Sequence, residues 1–125
     1  MAITIKSRKA KGRKFQQWIA TKISDITGIK SGKDELIESR EMGQSGVDIK
    51  LYGKALELFP FSIEAKRCER VSLPTWIKQA KQNLTEGTSW LLFFKRSRED
   101  PVVIMDADYF FELYGELIDW RRKYE

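Results

Sequence analysis

Histidine is missing from all 125 residues, and its absence excludes more chemistry than any motif in the chain adds. Ser-His-Asp and Cys-His catalysis, histidine general bases and histidine-ligated zinc are ruled out. Cysteine occurs once, at Cys68, which excludes an internal disulfide and a cysteine-rich zinc site. No apolar run approaches the ~20 residues that cross a bilayer. The opening MAITIKSRKAKGRK also lacks the apolar centre of a secretory signal. The expected setting is intracellular, with no membrane partner. An enzyme made from this chain has carboxylates, lysines and a hard metal ion to work with.

What is present has the scale of one domain, residues 1–125, with 42% hydrophobic and 33% charged residues, ordinary for a globular chain. The net charge of +5 is unevenly placed. Lys6, Arg8, Lys9, Lys11, Arg13, Lys14, Lys22 and Lys30 precede residue 31, against Asp25 alone. A basic front end on a neutral body suggests a polyanion, most simply nucleic acid. The bland alternative is a charge kept merely for solubility; nucleic acid is the reading adopted, though charge alone does not carry it.

Apolar residues at Phe15, Trp18, Ile19, Ile23 and Ile26 predict a helix from Arg8 to Thr27, stopped by Gly28, after a loose lead over residues 1–7. Gln16 falls at the edge of that stripe, either a surface amide or one reaching a site beside the core. Residues 33–42 suit a charged helix or an edge strand, and the strand is the reading adopted. The loop Gly43-Gln44-Ser45-Gly46 lacks the lysine of a phosphate loop, but it suits close approach of backbone to DNA or a metal-bound phosphate.

From Gly46 to Arg67 a strand, a turn and a second strand follow. Val47, Ile49 and Leu51 face one way and Asp48 the other. Phe61, Ile63 and Ala65 oppose Ser62, Glu64 and Lys66. A hairpin centred on Leu56 sets Asp48 opposite Glu64, whereas the turn signal at Gly53-Lys54 folds it elsewhere. A loop from Gly53 to Phe59 reconciles the two.

Ser72 and Pro74 then start a helix to about Leu84, burying Leu73, Trp76, Ile77, Ala80 and Leu84, with Gln79 and Asn83 on its flank. WLLFFK at 90–95 reads as a central strand covered on both faces, joined by the charged turn Arg96 to Pro101 to a second strand, VVIM at 102–105. Asp106 and Asp108 cap a last helix over 107–123, whose Phe110, Phe111, Tyr114 and Trp120 are either core or an interface. The predicted order is α-β-β-β-α-β-β-α, one mixed α/β domain.

An aspartate on one strand and Glu-x-Lys on the next suit metal-dependent phosphodiester hydrolysis. Mg²⁺ takes oxygen ligands, and Asp48, Glu64 and the Ala65 carbonyl leave room for water and phosphate. Lys66, on the same face, orients the water or stabilises transition-state charge. The bland alternative is a surface ion pair between Glu64 and Lys66.

These residues resemble the PD-(D/E)xK nuclease superfamily, and within it the small Holliday junction resolvases of archaeal and phage type. The likeness rests on Lys11-Gly12-Arg13, Ser45-Gly46-Val47-Asp48, Ile63-Glu64-Ala65-Lys66-Arg67 and Leu73-Pro74-Thr75-Trp76-Ile77-Lys78-Gln79-Ala80. It implies a restriction-endonuclease-like mixed β-sheet flanked by helices. It further implies a DNA endonuclease acting on branched or junction DNA in the cytoplasm of a prokaryotic or phage-infected cell. Asp48 and Glu64 would hold Mg²⁺ or Mn²⁺, Lys66 would be catalytic, and Gln79 would support the metal or water.

Such resolvases often carry a glutamate where this chain has Gln16, and a neutral amide brings no carboxylate charge. Lys9, Lys11, Arg13, Lys14, Ser45, Arg67, Arg70, Lys78 and Lys81 are the expected DNA contacts, positioning the backbone without reading bases. Two cuts across a two-fold junction favour a homodimer. The alternatives are a restriction- or repair-type nuclease, a non-catalytic nucleic-acid binder, and a basic domain that binds a partner other than nucleic acid.

Overall fold

Thr4 opens the first helix: its hydroxyl accepts the Ser7 N–H at 3.1 Å, and α1 spans Ile5–Thr27. The computed structural model describes residues 4–41 and 46–125. The expected loose lead over residues 1–7 is therefore helical from Ile5 onward, because a cap lies one residue before it, while residues 1–3 fall outside the described residues. At the other end Gly28, at φ +74°, closes α1 by donating its N–H to Ser24 O at 2.8 Å. The buried row is Phe15, Ile19 and Ile23, joined by Gln16 and Ala20. Trp18 and Ile26, expected in the core, stay exposed at the margins of this narrower stripe.

Among the described residues five strands form one sheet in sequence order: β1 Ile37–Ser39, β2 Ile49–Leu51, β3 Phe61–Arg67, β4 Ser89–Lys95 and β5 Val102–Met105. Every neighbouring pair is antiparallel except β3 and β4, which run parallel. The strand chosen for residues 33–42 exists, shortened to three residues around fully buried Ile37.

Between β2 and β3, where a turn was expected, the chain forms a helix, α2, over Gly53–Leu58. Gly53, at φ +51°, takes the left-handed corner that starts it, and Ala55 is fully buried. The helix-forming run Ala-Leu-Glu-Leu thus overrides the local turn signal. The observed order is α-β-β-α-β-α-β-β-α, one helix more than the predicted order. This helix sets the register, pairing Ile49 with Ile63, so the strands are symmetric about Leu56.

The crossover from β3 to β4 carries α3, Leu73–Gln82, with Pro74 in its first turn. Ile63 and Leu91 pack with α1 on one face of the sheet, and Leu92 and Trp90 pack with Trp76 and Ala80 of α3 on the other. That two-sided burial explains the unbroken apolar run of β4. Leu73 and Ile77 are half-buried, but Leu84, expected in the core, is exposed because α3 already ends at Asn83.

The last helix, α4, spans Ala107–Lys123, and Asp106 caps it by accepting the Tyr109 N–H at 2.9 Å. It has no buried residue. Tyr109 and Leu113 lean on the core, while Phe110, Phe111, Tyr114 and Trp120 remain exposed. Among the described residues no helix is long and apolar enough to cross a membrane.

Candidate active site

The site lies where β2 and β3 part. Asp48 donates its N–H to Ile63 O at 2.8 Å, and beyond that point the β2–β3 ladder stops. In place of a strand carbonyl, the Asp48 carboxylate accepts the Ala65 N–H at 2.7 Å. Arg40 braces the segment from the β1 side. Its backbone N–H donates to Asp48 O at 2.8 Å and its Nε donates to Val47 O. Half-buried Asp48 is thus held from both flanks.

Glu64, one of few buried charged or polar side chains, is only 5% exposed. Its Oε1 accepts Asn83 Nδ2 at 2.7 Å, and its carboxyl lies beside that of Asp48, near enough for each to shift the other. The register symmetric about Leu56 brings the two carboxylates together, as the hairpin reading anticipated. Burial pushes the Glu64 carboxyl up to about 7, and the Asp48 charge adds to the rise, against the Asn83 amide and Lys66. Burial also raises Asp48, opposed by the Ala65 N–H, Glu64, Lys66 and Arg40. Both carboxyls are thus held above the ordinary carboxylate range, as expected where two acids meet in one partly buried site.

Lys66 donates its Nζ to Gln79 Oε1 at 2.9 Å. The surface ion pair with Glu64 does not form; each side chain takes an amide from the α3 flank instead. Four helical residues rise ~6 Å and two strand residues ~6.6 Å, so amides at i and i+4 match side chains at i and i+2. Sequence reading set Gln79 and Asn83 side by side but gave Asn83 no role; this spacing match is the signal that could have done so. Arg40 left no comparable signal.

The remaining predicted residues divide. Gln16 is buried on α1, across the sheet from α3, and no hydrogen bond among the described residues joins it to Asp48 or Glu64. Lys9, Arg13 and Lys14 are exposed and Lys11 is half-buried. Lys11 and Lys14 line a cavity of about 520 Å³ with Phe15, Trp18, Arg67 and Lys95. The Arg67 side chain, 12% exposed, is turned into the fold, donating to Ser97 Oγ at 3.2 Å and pairing with Glu69 at 3.5 Å. Arg70, Lys78 and Lys81 are exposed, the two lysines on the outer side of α3. The expected DNA contacts thus form two groups on opposite faces of the sheet, and Ser45 lies outside the described residues.

Among the described residues there is no group of three or more His, Cys, Asp or Glu placed to hold a metal. The donors at the site are the two carboxylates and, at the same edge, the Ala65 carbonyl, since a strand residue sends its C=O to the side of its N–H. This sparse oxygen-only set fits Mg²⁺ or Mn²⁺, which keep several waters, and does not fit zinc. The chain matches no family model, no curated protein and no solved structure, so the site is read from its own geometry.

Proposed function

We propose that this protein is a metal-dependent DNA endonuclease with a restriction-endonuclease-like core, cutting branched DNA such as a four-way junction as a homodimer. The observation that carries the reading is the contact of Asp48 with Glu64, with Lys66 two residues along the same strand face. Glu64, held above the ordinary carboxylate range, keeps part of its proton at neutral pH and is poised to give it up to a divalent cation.

Asp48, Glu64 and the Ala65 carbonyl would hold Mg²⁺ or Mn²⁺, which when bound lowers the pKa of an attacking water and offsets phosphate charge. Lys66, steadied by Gln79, lies beside the pair to stabilise charge on the phosphate. Asn83 fixes Glu64. The exposed cations of α1 and α3 position the phosphodiester backbone. Among the described residues no base-reading element accompanies them, which favours recognition of DNA shape.

The second reading, a nucleic-acid binder without catalysis, draws on the neutral Gln16 where resolvases often carry an acid.

A panel of four-way junction, flap, duplex and single-stranded DNA, each with Mg²⁺ or Mn²⁺, tests the proposal. The junction is expected to be cut faster than the duplex, and only with metal. Absence of metal-dependent cleavage of every form overturns the enzyme reading. Preference for duplex keeps the nuclease and removes the junction specificity.

A further inference from the structure

The last helix leaves a face that nothing among the described residues covers. Phe110, Phe111, Tyr114, Leu117 and Ile118 are 45%, 70%, 44%, 38% and 37% exposed. They recur at i, i+1, i+4, i+7 and i+8, one stripe displaced from Tyr109 and Leu113, which lean on the core. With roughly 150–250 Å² for each aromatic side chain, the stripe carries on the order of 500 Å² of accessible apolar surface. That is at the upper end of what monomers expose, and more than half of the ~800 Å² that a standard interface takes from each partner.

Charge names the occupant. The acids of α4, Asp108, Glu112, Glu116 and Asp119, precede its bases, Arg121, Arg122 and Lys123. A nucleic acid or an anionic membrane laid on this helix would meet the acids. A parallel copy would set like charges together, whereas an antiparallel copy centred on Gly115 sets Asp108 of each chain against Arg122 of the other and opposes the two helix dipoles.

Gly115 supplies a further observation. It costs the helix about 1 kcal/mol relative to alanine, yet a Cβ there would meet nothing within 4 Å. Packing within one chain therefore does not require glycine. It lies between Phe111 and Ile118, midway between Asp108 and Arg122, where two crossing helices would approach most closely.

We infer that α4 pairs antiparallel with α4 of a second copy, crossing near Gly115, in a closed two-fold dimer. The inference extends the homodimer in the proposed function by naming its interface. It does not depend on catalysis.

Sedimentation equilibrium at micromolar protein is expected to give a dimer. Phe111→Glu with Ile118→Glu is expected to give a monomer of unchanged helix content, since both residues are exposed. Gly115→Leu, which improves helix propensity, is expected to weaken the dimer at least tenfold without loss of helix. In a Cys68→Ser background, chains carrying Asp108→Cys and chains carrying Arg122→Cys are expected to form a disulfide when mixed, and neither with itself. A monomeric wild-type protein, a dimer that survives the double glutamate variant, or self-linking of either cysteine chain overturns the interface. None of these readouts involves cleavage. A monomer that cuts DNA sinks this inference and spares the nuclease, and a dimer that cuts nothing does the reverse.

Discussion

Glu64→Gln is expected to abolish metal-dependent cleavage and, in the same molecule, to make the metal-free protein more stable at pH 8. The first effect follows from removing a carboxylate charge from the proposed metal pair. Metal chemistry at such a site is worth several kcal/mol, so the loss should be at least about 10³-fold. The second follows from the environment of Glu64. Its carboxyl is pushed from 4.5 up to about 7, chiefly by burial, so between those values the folded state binds more protons than the unfolded state.

Stability of the wild type therefore falls as pH rises through that window, and the whole cost is present above it. At about 1.4 kcal/mol per unit, relief of that cost by a neutral amide comes to about 3 kcal/mol. In a chain of this size that is on the order of 10 °C in Tm. Glutamine can still accept from Asn83 and can donate to Asp48, so the exchange leaves no polar group unpaired. Thermal melts of both proteins in chelator from pH 4 to 8 check this. The curves should meet near pH 4.5 and diverge above it. A variant less stable than wild type at pH 8 would show that burial does not raise the Glu64 carboxyl.

Lys66→Ala is expected to lower cleavage by about 10²–10³-fold, the usual effect of removing one group that stabilises transition-state charge. Junction binding should change little, because the exposed cations of α1 and α3 are untouched. The fold should not suffer either, since Lys66 is only half-buried and its hydrogen bond to Gln79 lies at the surface. Single-turnover cleavage alongside a binding titration separates the two effects. Equal loss of binding and cleavage would make Lys66 a DNA contact, and unchanged cleavage would remove it from the chemistry.

The sequence was most legible where one residue period met one kind of burial. The alternation along β3 and the apolar run of β4 show which residues face which layer, and Asp106 with the terminal bases marks the bounds of α4. The carboxylate pair was legible as a symmetry about Leu56. The helix that realises it, α2, was not, because a glycine at a corner reads locally as a turn whether or not a helix follows. Arg40 escaped because its partners are backbone carbonyls brought near only by the folded sheet. The aromatic stripe of α4 has the same spacing whether it enters a core or an interface; only folding showed that nothing in the described chain covers it.

The central claim is that the pair of Asp48 and Glu64 gives up a proton to a divalent cation. Calorimetric titration of the protein with Mn²⁺ at pH 6.5, in buffers of different ionisation enthalpy, counts that proton. The account predicts binding with release of about one proton, tightening as pH rises through about 7 and lost in Glu64→Gln. No binding, or binding that releases no proton and survives Glu64→Gln, would contradict it.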